Sequence, residues 1–156
     1  MKIREYRKTD LDSIVDILKL YWNDPDFIQE VKDLLEDTNS NGFSIKKHFL
    51  VSENKGQIDG FAGFKDLSDY LKPFSKGNNP TELYIIAVKE KRTGVGLELK
   101  AKLIEAANNL GYDEMLIFSP TTHDGSWKFH DTLDFEQVGK VTPPEDGEGL
   151  VWRRYI

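Results

Sequence analysis

The chain has 156 residues, 38% apolar and 31% charged, with no cysteine and a formal net charge of −6. That length suits one domain with a sizeable core, and the composition is that of an ordinary folded protein, not a disordered one. The acidic balance argues against a general nucleic-acid binder, zero cysteines exclude disulfides, thiolate chemistry and Cys-ligated zinc, and no run of 18 apolar residues offers a membrane span. Met1-Lys2-Ile3-Arg4 does not lead into an apolar signal segment, so a cytoplasmic chain is the expectation.

Lys2 to Tyr6 alternates and reads as a strand. Thr9 or Asp10 then caps a helix through about Leu20, with Leu11, Ile14, Val15, Leu18 and Tyr21 on one face. Pro25 starts a second helix with Phe27, Ile28, Val31, Leu34 and Leu35 as its apolar stripe, stopped at Asn39-Ser40-Asn41-Gly42. The same segment carries Asp24, Asp26, Glu30, Asp33, Glu36 and Asp37, which is either a solvated helix face or an acidic rim for a cationic substrate. His48 to Ser52, a turn at Glu53 to Gly56, and Gln57 to Lys65 read as a hairpin. Ser68 to Pro80 has no period, and its prolines, glycine and asparagines predict a mobile loop with one helical turn near Tyr70.

Glu82 to Val88 is the next strand, and Gly94 to Leu110 a long helix with Val95, Leu99, Leu103, Ala106 and Leu110 on one stripe. Gly111 stops it, and Glu114 to Ser119 is a buried strand closed by Pro120. Asp124 or Ser126 caps a short helix through about Leu133, and Phe135 to Val141 and Leu150 to Ile156 form a terminal strand pair. The order β-α-α-β-β-β-α-β-α-β-β predicts a single α/β (α+β) domain over residues 1–156, a mixed, mostly antiparallel sheet flanked by helices.

One segment carries chemistry. The strand ending at Val88 meets the basic glycine turn Lys91-Arg92-Thr93-Gly94-Val95-Gly96, and a helix follows directly. Unpaired N–H groups of a first helical turn, together with the helix dipole, favour an anion there. Neither common nucleotide motif fits: the GxxxxGK[ST] string is missing, and Leu99 stands where a dinucleotide fingerprint needs its third glycine.

The segment resembles the acetyl-CoA motif of the GNAT superfamily of N-acetyltransferases, a strand followed by [RQ]xxGx[GA] and a long helix. Ile3-Arg4 with Asp10 looks like that family's opening, Asp59-Gly60-Phe61-Ala62-Gly63-Phe64 like its third strand, and Phe129 to Phe135 like its FYxxxGF block. The chain departs from the pattern at Lys91 for Arg or Gln, His123 for Asn, His130 for Tyr and Asp134 for Gly. The resemblance implies acetyl-CoA as co-substrate and no metal. It assigns cofactor binding to Ile86, Ala87, Val88, Lys91, Arg92, Thr93, Gly94, Val95 and Gly96, with His123, Ser126 and Phe129 downstream. The Arg92 to Gly96 amides would cradle the pyrophosphate, Lys91 and Arg92 would either add charge there or be ordinary surface cations, and an N–H near Val88 would hold the thioester oxyanion.

Acyl transfer needs a neutral amine, and an alkyl amine is on the order of one part in a thousand neutral at pH 7. Glu82 matches a position where relatives place a base, or is an exposed strand-end glutamate; Glu114 and Asp66 are weaker candidates. His130 either protonates the departing thiolate or merely packs near it as a partly exposed histidine. Trp22, Tyr21, Tyr70, Phe74 and Trp127 line an acceptor pocket or belong to the core. The leading expectation is an N-acetyltransferase acting through a ternary complex on a small-molecule or protein amine, cationic, with no nucleic acid or membrane partner. Relatives often dimerise, so a homodimer is a further expectation. A non-catalytic acyl-CoA-binding module is the alternative, and the dipeptides His123-Asp124 and His130-Asp131 raise a metal hydrolase as a third class, although they lack the i, i+4 spacing of a zinc helix.

Overall fold

The computed structural model describes residues 1–36 and 46–156. Seven strands form one sheet in the order β1-β2-β3-β4-β5-β7-β6. The chain divides into two units, residues 1–65 with 85–103 and residues 66–84 with 104–156.

In the first unit, β1 (Lys2–Glu5) pairs antiparallel with β2 (Lys47–Asn54), from Lys2↔Glu53 to Glu5↔Leu50. β2 pairs antiparallel with β3 (Gln57–Asp66). Their hairpin turns at Lys55-Gly56, with φ of 53° and 78°. Two consecutive left-handed residues are what a two-residue turn needs to match the twist of the strands. The helix α1 (Leu11–Leu18) follows a 3-10 turn at Lys8–Asp10 and buries Ile14, Ile17 and Leu18. Of the two residues expected to cap it, Thr9 or Asp10, Asp10 stands at the N-cap position but makes no side-chain bond to the start of α1. Its carboxylate instead takes Arg4 Nη1 and Nη2, both at 2.9 Å, and the Arg7 N–H at 2.8 Å. Arg4 Nε reaches Glu53 Oε2 at 2.9 Å, so this ion cluster ties β1 and β2 to the head of α1.

The helix α2 (Pro25–Glu36) begins where proline at the first helical position predicts. Asp24 Oδ1 accepts the Asp26 and Phe27 N–H groups at 3.0 and 3.3 Å, a side-chain cap. The expected stop at Asn39–Gly42 and the acid Asp37 lie outside the described residues. The helix α3 (Val95–Asn109) buries Val95, Leu99 and Leu103 as its spacing predicts. It packs closely on β3 at Gly60, where an added Cβ would lie 3.0 Å from Leu99 and 3.1 Å from Val95. Leu110 departs from the expectation: it is 59% exposed. The Leu110 N–H bonds back to Ala106 and Ala107, and Gly111 turns left-handed at φ 94°, so the helix has ended and Ile104 and Ala107 take the inner face.

The second unit holds the start of β4 (Pro80–Val88), β5 (Glu114–Pro120), β6 (Glu136–Val141) and β7 (Gly149–Tyr155). β4 and β5 pair in parallel from Pro80↔Glu114 to Glu82↔Leu116. β7 lies antiparallel between β5 and β6. The segment expected to be a mobile loop is tied down. A 3-10 helix at Asp69–Phe74 buries Leu71 against Leu116 and Val151, with Tyr70 and Phe74 packed around it. The Glu114 carboxylate accepts Ser75 Oγ at 2.6 Å and the Lys76 and Gly77 N–H groups, while Asp113 accepts Asn78 N and Asn79 N at 2.8 and 2.9 Å. The 3-10 helix supplies the helical turn expected near Tyr70, and carboxylates hold residues 75–79, where Gly and Asn deny regular secondary structure. The helix expected through Leu133 is shorter: a 3-10 run at Thr121–Ser126 leads into α4 (Trp127–His130). Leu133 and Asp134 are both left-handed, at φ 58° and 64°, and end the helical path.

Candidate functional site

In the first unit, Ile86, Ala87 and Val88 are the last residues of β4, and Val95 and Gly96 are the first of α3. Ala87 and Val95 are buried and the other three partly so. Between them Lys91, Arg92, Thr93 and Gly94 are exposed. Arg92 and Gly94 have φ of 64° and 87°, so the turn reverses its amides twice within three residues. Nothing lies within 4 Å of a Cβ built on Gly94, so its glycine serves the left-handed backbone and an open approach. Glu98 N is bonded to Gly94 O at 3.1 Å, which makes Gly94 the residue before the helix. The amides of Val95, Gly96 and Leu97 precede that first intrahelical bond and point out of the helix start. Thr93 Oγ1 donates to Glu90 O at 3.1 Å and closes the turn.

Two contacts fix where β4 hands over to the turn. Tyr21 OH donates to the Val88 carbonyl at 2.5 Å, and the Lys89 N–H bonds to Asp59 O at 2.7 Å. Both polar groups of the Val88–Lys89 peptide are thereby used. Burial raises the Tyr21 phenol above its ordinary value, which keeps it a donor. Lys91 Nζ sits 5.2 Å from the centre of the Tyr21 ring. Tyr21 thus supports the turn from the segment just after α1, a role that its place among candidate pocket aromatics did not reveal. Beside it, α1 and α2 frame a cleft of about 450 Å³, lined by Trp22, Ile28, Lys19, Lys32 and Asp24 among others. Asp24, Asp26, Glu30 and Glu36 are exposed, as a solvated acidic face requires.

In the second unit, Glu82 is the third residue of β4 and only 4% exposed, not the exposed strand-end glutamate that the sequence allowed. Its Oε1 accepts the Ser68 N–H at 2.6 Å, from the segment that precedes the 3-10 helix. Glu114 is fully buried, bonded to Ser75, Lys76 and Gly77 and 3.5 Å from Arg153 Nε, which makes it a structural anchor. Asp66 ends β3 exposed.

His123, Ser126, Phe129 and His130 come together around the end of β5. His130 is 7% exposed, which corrects the reading of a partly exposed histidine. Its ring lies 5.0 Å from Trp152 and 5.9 Å from Phe129, centre to centre. Its Nε2 is 3.2 Å from Ser126 Oγ. Ser126 Oγ donates to the His123 carbonyl at 2.8 Å and lies 3.4 Å from Ser119 Oγ. Trp152 Nε1 donates to Asp131 at 2.8 Å and holds the ring wall. Ser119 and Trp152 escaped the sequence reading because both sit inside ordinary strand patterns. Among the described residues no group of three or more His, Asp and Glu could hold a metal ion, and no helix is long and apolar enough to cross a membrane.

A sequence model of the acetyltransferase (GNAT) family matches residues 11–135. Among solved structures, a ribosomal-protein-alanine N-acetyltransferase from Brucella melitensis is similar over 100% of both chains, with 21% identity and a TM-score of 0.75. An N-acetyltransferase from Staphylococcus aureus Mu50 is similar over 99% of this chain and 97% of its own, with 22% identity and a TM-score of 0.74. An aminoglycoside 6'-N-acetyltransferase complexed with coenzyme A covers the same shares, with 15% identity and a TM-score of 0.73. No curated protein matches.

Proposed function

The chain belongs to the acetyltransferase (GNAT) family and is an acyltransferase, and we propose that it moves an acetyl group from acetyl-CoA to a primary amine by direct attack in a ternary complex. The observation that supports this most is the passage from β4 into α3. Left-handed Arg92 and Gly94 open a turn onto the first amides of the helix, those of Val95, Gly96 and Leu97. Such a cradle suits a pyrophosphate, since several N–H donors and a helix dipole meet one dianion. Thr93 stays at the turn's closure, and Lys91 and Arg92 supply positive charge at its rim.

On this reading the extended backbone of Ile86 to Val88 offers the pantetheine arm a strand to pair with and an N–H for the thioester oxygen. Glu82 takes the proton from the attacking ammonium group, directly or through water, so that the lone pair can reach the carbonyl carbon. The C–S bond breaks as the intermediate collapses, and His123, Ser126, Phe129 and His130 form the surface that receives the thiolate. One of the structural neighbours carries coenzyme A, and others are named for acceptors that are a ribosomal-protein alanine and an aminoglycoside. Both acceptors present an amine, which is the class proposed here.

The test follows thiol release from acetyl-CoA against a panel of small-molecule and peptide amines, with acetyl-CoA binding measured separately by calorimetry. Turnover on an amine that titrates with enzyme supports the reading. Tight acetyl-CoA binding with no turnover on any amine overturns it in favour of an acyl-CoA-binding module.

A further inference from the structure

The 3-10 helix at Asp69–Phe74 leaves an amide over at its head. Ser68 stands just before it, and the Leu71 N–H bonds back to the Ser68 carbonyl at 3.0 Å. The Ser68 N–H lies outside that helix and is given to Glu82 Oε1 at 2.6 Å, 14 residues along the chain. A neutral N–H···O bond is usually about 2.9–3.0 Å long, and shorter ones are typical of a charged acceptor. The donor is itself held on both sides. Leu71 is fully buried against Leu116 and Val151, and Leu67 packs against the same cluster. Tyr70 stands edge-on to the Phe118 ring at 5.5 Å, and Arg153 Nη1 donates to the Phe74 carbonyl at 3.1 Å. Leu116 is also the register partner of Glu82 across β4 and β5, so the two side chains rise from the same face of the sheet. The Ser68 amide is thus fastened to the core on the carboxylate's own side.

We infer that the main-chain N–H of Ser68 is a positioning group for Glu82: it fixes the direction of the carboxylate and decides which oxygen takes the proton. This rests on the reading of Glu82 as the base. Glutamate is a long side chain with many orientations, and each unproductive one dilutes the one that reacts. With Oε1 anchored, rotation of the carboxyl group is stopped and Oε2 is placed. The proton of the attacking ammonium group, carried directly or through water, ends on Oε2. Its N–H bond breaks, the amine nitrogen keeps the electron pair, and the carboxylate becomes the neutral acid. The Ser68 bond to Oε1 survives that step, so the base need not reorganise during it.

The backbone allows the donor to be deleted by itself. Ser68 has φ −65° and ψ 148°. Proline holds φ at about −65° and has no N–H, so Ser68→Pro removes the bond to Glu82 and keeps the path of the chain at residue 68.

The experiment compares Ser68→Ala, Ser68→Pro, Glu82→Gln and the Ser68→Pro/Glu82→Gln double variant with the parent on the best amine of the panel. Ser68→Ala is the reference, because it loses the hydroxyl and keeps the N–H. A further variant carries lactic acid in place of that alanine, so that an ester replaces the residue 68 amide. It deletes the same N–H with no ring, and thermal melts check that it is folded. Both deletions should lower kcat about ten- to a hundredfold below Ser68→Ala, with the KM for acetyl-CoA little changed. In the Glu82→Gln background, Ser68→Pro should cost less than about twofold more, because a group that acts through Glu82 then has no base left to position. A folded ester variant with the kcat of Ser68→Ala would reduce the Ser68 bond to a structural tie and overturn the inference, with Glu82 still the base. An equal loss with and without the Glu82 carboxylate would do the same. A Glu82→Gln variant as active as the parent removes the base reading itself, and the inference with it.

Discussion

Replacing Glu82 by Gln separates catalysis from folding. The side chain keeps its shape, and one oxygen still accepts the Ser68 N–H now bonded at 2.6 Å. What is lost is the charge on that acceptor. A hydrogen bond to a charged group contributes about 1.5–3 kcal/mol and a neutral one about 0.5–1.5, so the expected stability loss is about 1 kcal/mol. For a chain of this size that lowers Tm by roughly 2–4 °C. On the proposed role as base, the expected catalytic loss is far larger. A positioned base contributes about 10²- to 10⁴-fold, equal to roughly 2.7–5.5 kcal/mol of barrier. Without it the enzyme must wait for amine that is already neutral. Its kcat/KM should then climb about tenfold per pH unit until the amine's own pKa, near 10.4 for a lysine-like acceptor. The assay is thiol release from acetyl-CoA on the best amine of the panel, from about pH 6 to 10 so that it spans the expected rise, with thermal melts and the KM for acetyl-CoA as controls. A Glu82→Gln variant within about twofold of the parent at pH 7, with the parent's pH profile, would refute the base assignment.

Gly94→Val should weaken acetyl-CoA binding at least tenfold by calorimetry. A β-branched residue at φ 87° costs about 1–2 kcal/mol and pulls the turn from its left-handed form, although no neighbour stands within 4 Å of the new Cβ. Asp10→Asn should cost about 1.5–3 kcal/mol in urea unfolding, because it weakens the charge-assisted bonds from Arg4, which keeps Glu53 as its ion-pair partner. The hydrogen bonds from Arg4 hold the Asp10 carboxyl below its ordinary value of 3.8. Its contribution is therefore full above that value and falls away as pH drops through the lowered folded value, and the acid limb of stability should be shallower in Asp10→Asn. Gly149→Ala should destabilise by about 1–3 kcal/mol, since its Cβ would meet the Ser119 carbonyl and the Phe118 ring.

The β4–turn–α3 unit was legible because every signal in it is local. An apolar strand, a turn with Gly94 and a helix stripe through Val95, Leu99 and Leu103 follow one another directly along the chain, and the fold keeps each of them. The element order was legible for the same reason. The misreadings depend on side-chain partners that no local pattern announces. Asp10 looked like a helix cap, but the Arg4 guanidinium on the neighbouring strand competes for its carboxylate and wins. Ser68 to Pro80 looked mobile because its own sequence supplies no hydrogen-bonding pattern. Its partners are Asp113, Glu114, Leu116 and Val151, all far along the chain. Asp134 stands where the resemblance places Gly, and the reason is visible in its φ of 64°: aspartate tolerates the left-handed region better than most residues.

The same long-range accounting bears on which carboxylate does the chemistry. Glu82 and Glu114 are both buried, both on paired strands of the second unit, and two positions apart along the register Pro80↔Glu114 and Glu82↔Leu116. Sequence alone ranks them only by resemblance. In the fold, Glu114 receives a hydroxyl and two amides from residues 75–77 and faces Arg153. The oxygens of Glu114 are committed to the segment that they hold, and removing that charge would loosen the segment. Glu114→Gln should therefore behave opposite to Glu82→Gln, with a large loss of stability and a kcat that recovers when the protein is kept folded. If both substitutions instead left the melts unchanged and slowed turnover alike, the division of labour between the two carboxylates would be wrong.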